Sequence, residues 1–80
     1  MATHMIGTNG MKTHAEWGAL GEFARRDWLA GLTPLQVRAQ ASVQAAGTQR
    51  TIHEVITAWS LMGYLSIDAA AAALASEVAS

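Results

Sequence analysis

Residues 48–65, TQRTIHEVITAWSLMGYL, decide the fold. Ile52, Val55, Ile56, Trp59 and Met62 recur at steps of three and four, the spacing that lines one face of an α-helix, and Gly63 supplies the residue that ends it. Thr48 reads as the N-cap of this helix, its hydroxyl accepting from a free first-turn amide. The opposite side carries Gln49, Arg50, His53, Glu54 and Thr57, and also Leu61, an apolar residue among polar ones. Leu61 is therefore a candidate contact for another chain.

Downstream, Ser66 and Asp68 give a following helix a cap and a negative charge near its N-terminus, where the helix dipole favours one. Its stripe is Ile67, Ala70, Ala71, Leu74 and Val78, and the alanine run around it forms helix well and permits close approach. This segment is expected to dock or dimerise, with Leu74 and Val78 beside Leu61 at the interface. Upstream, Thr33-Pro34 is an N-cap followed by proline at the first helical position. In the helix it opens, Gln36, Gln40 and Gln44 are expected to face solvent, and Leu35, Ala39, Ser42, Val43 and Ala46 to face inward. Gly31 stops the segment before it, which begins at Thr13-His14-Ala15-Glu16, a capping box. Trp17, Leu20, Ala24 and Trp28 form the apolar stripe of one long helix there, Phe23 widens its buried face, and Glu22 and Arg26 pair at i,i+4 on the other side. Gly18 and Gly21 mark close helix packing or weaken these first turns. The sequence thus predicts an all-α, compact four-helix domain over residues 13–80 behind a flexible tail over residues 1–12. Met5 and Met11 are alternative natural starts, in which case the residues before them are a cloning remnant.

The composition narrows the function classes. One domain of 80 residues buries roughly 60% of its unfolded surface, so half the residues being apolar (51%) and only 14% charged leaves a surplus that implies a homodimer or a protein partner. The absence of cysteine excludes disulfides, thiolate catalysis and cysteine-zinc sites and permits a cytoplasmic setting. A net charge of −1 gives no general attraction to nucleic acid, so any DNA contact must come from a local basic cluster. The start MATHMIGTNG lacks the features of a secretory signal. Residues 55–74 are as long as a membrane span and carry one charge, Asp68, but that charge near the middle would cost about 2.5–3.5 kcal/mol on insertion scales, and the serines, threonine and alanines around it do not compensate. No membrane span is expected. Nor is an enzyme, since no nucleophile-base pair, paired carboxylates or phosphate loop can be picked out.

Two helices joined by a tight turn, the second with a polar outer face, are what base-edge reading in a DNA groove requires. Thr51-Ile52, Ile56, Trp59 and Gly63-Tyr64-Leu65 resemble the recognition-helix signature of bacterial winged-helix and related helix-turn-helix regulators, over residues 33–65. After Leu65 no pair of β-rich segments follows, so the wing is absent or vestigial, and the basic supply shrinks to Arg50 and His53. The resemblance implies a small transcriptional regulator that binds double-stranded DNA as a homodimer through Thr48, Gln49, Arg50, Thr51 and His53, with Arg50 on guanine, Gln49 on adenine and Arg38 as an added cation near phosphate. Arg25 and Arg26 would join only if the first helix turns them to the same side. The alternative is a helical protein-protein interaction module, adaptor or antitoxin-like, using the same apolar surplus without DNA.

Trp17, Trp28 and Trp59 lie on apolar stripes and are expected in the core rather than on a stacking platform. His4, His14 and His53 have no i,i+4 partner, and no metal or other cofactor is implied. One narrow exception is a processed Ala2-Thr3-His4 terminus, whose amine, amides and imidazole suit square-planar Cu(II) or Ni(II).

Overall fold

A computed structural model describes residues 10–76. They form α1 (His14–Gly18), α2 (Glu22–Ala30), α3 (Pro34–Thr48), α4 (Ile52–Met62) and α5 (Ile67–Ala75), with no strand among them. The all-α class follows from four local signals. Thr13 and Glu16 close a capping box at α1, Thr33 and Gln36 close another ahead of Pro34 at α3, and the Ser66 hydroxyl accepts from the Ala69 amide at α5. Gly63 ends α4 at φ 87°, a left-handed conformation that favours glycine, and lets the Tyr64 amide turn back to donate to the Trp59 carbonyl at 2.8 Å. α3 is the central element, and α4 and α5 pack on it and on each other. No described helix is long and apolar enough to cross a membrane, because residues 63–66 divide the apolar stretch into α4 and α5.

The expected first helix is two. α1 is little more than one turn, and Gly21 leaves the helical region at φ −75°, ψ 172° to become the N-cap of α2 without any side-chain hydrogen bond. A Cβ added at Gly18 or Gly21 would meet nothing, so these glycines do not serve close packing; they interrupt the helix. The break resets the register. Leu29 becomes the buried residue of α2 and Trp28 is half-buried, while Ala24 is exposed and Phe23 is 73% exposed rather than widening the core face.

α3 is turned differently from the expected orientation. Gln40 is 0% exposed and Gln44 4% exposed, alongside Val37, Ala41 and Ala45, whereas Leu35 and Ala46 face out and Ala39, Ser42 and Val43 are half-buried. The reason is hydrogen bonding. Gln40 Oε1 accepts from the Lys12 amide at 3.0 Å and from the Trp28 indole at 2.8 Å, and its Nε2 donates to the Lys12 carbonyl at 2.9 Å. A carboxamide satisfied at both ends is cheap to bury, and this one fastens both α2 and the segment before α1 to α3. Lys12, placed by sequence in the tail, is held there, with its ammonium 4.5 Å from the centre of the Trp28 ring.

The start of α4 also differs. Thr48 is the last residue of α3, and its hydroxyl donates to the Gln44 carbonyl at 2.9 Å; the N-cap of α4 is Thr51. A capping box needs Glu or Gln three residues on, which Thr51 has in Glu54 and Thr48 lacks. Gln49, at φ 59°, closes α3 between them. The α4 stripe keeps Val55, Ile56 and Trp59 in the core with Ile52 half-buried, but Met62 is exposed. On α5 the buried residues are Ala70 and Ala73, with Leu74 half-buried, and both Ala71 and Ile67 are exposed. Val78 and the Ala2-Thr3-His4 terminus lie outside the described residues.

The two orientations of α3 predict opposite mutational costs. Gln40→Leu is expected to lower unfolding free energy by about 1–3 kcal/mol by orphaning the Lys12 amide and carbonyl and the Trp28 indole. Leu35→Gln is expected to stay within about 0.5 kcal/mol of the wild type in urea unfolding.

Candidate functional site

The residues proposed from sequence for DNA contact divide by position. Gln49, Arg50 and Thr51 form the connection between α3 and α4, and Thr48 and His53 flank it, so these five share one tip of the molecule. Arg38 does not join them. Ten residues back along α3, it lies about 15 Å from Thr48 by helical rise, is half-buried, and is not a free cation. At the tip two hydroxyls are already committed, that of Thr48 to the Gln44 carbonyl and that of Thr51 to the Glu54 amide at 3.0 Å. Gln49, Arg50 and His53 are exposed. Arg50 is anchored through its backbone amide, which donates to the Ala45 carbonyl at 3.1 Å.

The charge at the tip is balanced. The Thr51 backbone amide, donating to Glu54 Oε1 at 2.9 Å, holds the Glu54 carboxyl below its usual range, with smaller contributions from the Thr51 hydroxyl, Arg50 and His53. Glu54 therefore stays ionised beside Arg50, and the first turn of α4 does not offer phosphate the unopposed positive charge that DNA affinity draws on. Arg25 is braced against the core. Its Nε donates to the Trp17 carbonyl at 3.2 Å and its Nη1 to the Tyr64 hydroxyl at 3.3 Å, and its guanidinium lies over both rings. Arg26 covers the exposed ring of Phe23. Among the described residues no group of three His, Asp or Glu side chains is placed to hold a metal ion.

A second surface is built from α4 and α5. Leu61 is 83% exposed and Ile67 81% exposed, and with Leu74, Ala70 and Ala71 they line a groove of about 250 Å³ that Thr57 and Ser60 complete. No charged side chain lines it. Of the interface residues expected from sequence, Leu61 and Leu74 line it and Val78 lies outside the described residues; Ile67, expected on the same stripe as Leu74, was not named for the interface. The available signal was that α5 carries apolar residues on more than one side: Ala73 is fully buried while Ile67, six residues earlier on the wheel, is turned outward.

Trp17 and Trp59 are buried, and Trp28 is half-buried against the core. Trp17 and Trp59 pack with ring centroids 4.9 Å apart, Tyr64 stands edge-on to Trp17, and Trp28 is bound to Gln40. His14 lies against Gly47, where a Cβ would come within 2.8 Å of the imidazole, and its Nδ1–H donates to Gln44 Oε1 at 3.0 Å. Comparison of the chain with protein families, with curated proteins and with solved structures finds no match.

The capping boxes differ in their response to acid. Those of α1 and α4 accept through Glu16 and Glu54, whose pKa values are lowered by the N-cap amide, while that of α3 accepts through Gln36. A depressed folded-state pKa contributes stability above the unfolded value, near 4.5, that is lost as pH falls through the folded value. Amide exchange at the starts of α1 and α4 is therefore expected to quicken relative to α3 as pH drops below that range, and Glu54→Gln to abolish the difference for α4 while preserving the box.

Proposed function

We propose that this chain is a helical protein-interaction module that pairs with a second copy of itself through the α4–α5 face. The observation that carries the reading is the juxtaposition of Leu61 and Ile67, both more than four-fifths exposed, with a groove floored by Ala70 and Ala71. A two-fold interface requires one patch to hold both the projection and the recess that receives it, and this patch holds both. Burying a leucine or isoleucine side chain is worth about 1.5–3 kcal/mol, and a symmetric pair buries four. The groove has no charged lining to desolvate. Such a module fits an adaptor or antitoxin-like role, in which small helical domains are brought together in pairs.

Recognition of double-stranded DNA is a second reading, supported by the short α3–α4 connection that leaves Gln49, Arg50 and His53 exposed together. Pairing would double whatever phosphate contacts the tip makes. Glu54 beside Arg50 and the commitment of Arg25 weigh against it.

Sedimentation equilibrium of wild type and Leu61→Glu separates these readings. The wild type is expected to dimerise and the variant to be monomeric with stability within about 0.5 kcal/mol of wild type, since Leu61 lies outside the monomer core. A wild type that stays monomeric at the highest soluble concentration contradicts self-pairing. If that monomer binds duplex DNA in a salt-sensitive manner that Arg50→Ala abolishes, the function moves to the α3–α4 tip.

A further inference from the structure

Between α1, α3 and α4 lies a second cavity, of about 290 Å³, separate from the α4–α5 groove. Its wall is largely apolar, from Trp17, Trp59, Val55, Ala58 and Met62. Its polar lining combines two cations with neutral groups, the Gln44 carboxamide, the His14 imidazole and the Thr48 and Tyr64 hydroxyls. Arg25 and Arg50 contribute positive charge, and no Asp or Glu lines it.

Gln44 is the decisive group. It lines the cavity, is 4% exposed, and has its Oε1 occupied by His14 Nδ1–H, yet its Nε2 has no hydrogen-bond partner. Leaving a buried amide donor unmade is unfavourable, and an orphan in a native core needs an explanation such as an absent ligand. The arrangement around it is fixed. Gly47 lets the imidazole of His14 lie against α3, and that imidazole orients the Gln44 carboxamide. Arg25 is fixed by the Trp17 carbonyl and the Tyr64 hydroxyl, which use two of its five N–H groups and leave others to donate.

We infer that this cavity binds a small aromatic carboxylate, its ring against Trp59, Val55 and Met62 and its carboxylate receiving the Gln44 amide and the charge of Arg50 and Arg25. Each part of that ligand answers a feature of the wall. A neutral hydrocarbon would fill the apolar part but leave Gln44 Nε2 unpaired. Inorganic phosphate would satisfy the donors but leave the tryptophan wall uncovered. The volume suits a single-ring compound, lying at the small end of the range for ligand pockets. The assignment also accounts for Met62, the exposed member of the α4 stripe: at the cavity edge, a flexible thioether can close over a ring.

The test is a titration of the full chain with phenylacetate, phenylacetamide and inorganic phosphate, followed by the Gln44 side-chain amide and the Trp17 and Trp59 indole signals in heteronuclear NMR. Phenylacetate is expected to shift all three groups, and phenylacetamide and phosphate to bind at least about tenfold more weakly. Arg50→Ala is expected to weaken phenylacetate about tenfold while leaving phenylacetamide unchanged. Met62→Glu, at a position exposed enough to accept it, is expected to weaken phenylacetate by adding negative charge at the edge. Absence of any shift at these signals, equal affinity for acid and amide, equal affinity for phosphate, or indifference of phenylacetate to both substitutions in folded protein would each overturn the assignment.

Discussion

The carboxamide of Gln40, fully buried on α3, is the interaction on which the remaining architecture depends. It accepts from the Trp28 indole and the Lys12 amide and donates to the Lys12 carbonyl, so one side chain fastens α2 and the segment before α1 to the central helix. Those partners are what make the burial affordable: each polar atom of the amide exchanges water for a protein hydrogen bond. With this side of α3 turned inward, Val37, Ala41 and Ala45 enter the core, and α4 and α5 pack on the same helix. The small residues of that face are what let the helices come close.

A second constraint fixes the other side of the core. Trp17 from α1 packs on Trp59 from α4, and Arg25 bridges Trp17 and Tyr64 across the break between α1 and α2. This brace holds the Arg25 guanidinium over the Trp17 and Tyr64 rings. Among the described residues this framework leaves, with other hollows, an uncharged apolar groove between α4 and α5 and a cavity lined by Gln44, whose buried amide donor has no partner. On the readings proposed for them, the first receives a second copy of the chain and the second a small carboxylate with an aromatic body.

What the sequence made legible were features decided within four or five residues. The capping box at Thr13, the N-caps at Thr33 and Ser66 and the stop at Gly63 are local hydrogen-bond and backbone problems with local answers. The position of the α4 cap belonged to that class too, since Glu54 stands three residues after Thr51 and no such residue follows Thr48. The facing of α3 did not. A glutamine at a helical position reads as solvent-facing because its burial depends on partners 28 and 12 residues away, at Lys12 and Trp28. Exposed Phe23, Leu35, Met62 and Ile67 were illegible for the complementary reason: apolar character does not compel burial, and only the packed helices decide which side of each wheel is covered. Of the candidate sites, Leu61 was visible as an apolar residue in a polar setting and Leu74 as part of the α5 stripe, whereas the cavity beside Gln44 depends on the contact of His14 with Gly47 and had no sequence signature.

The most direct measurement is a set of proton Overhauser contacts from the Gln40 side-chain amide, taken together with its exchange rate with water. The fold described here predicts contacts from that amide to the Lys12 backbone and the Trp28 indole, and exchange much slower than for exposed glutamines such as Gln49. A Gln40 amide that exchanges as freely as Gln49 and contacts neither partner would mean that α3 presents its glutamine face to water, and the core, the groove and the cavity would all have to be rebuilt around the opposite side of that helix.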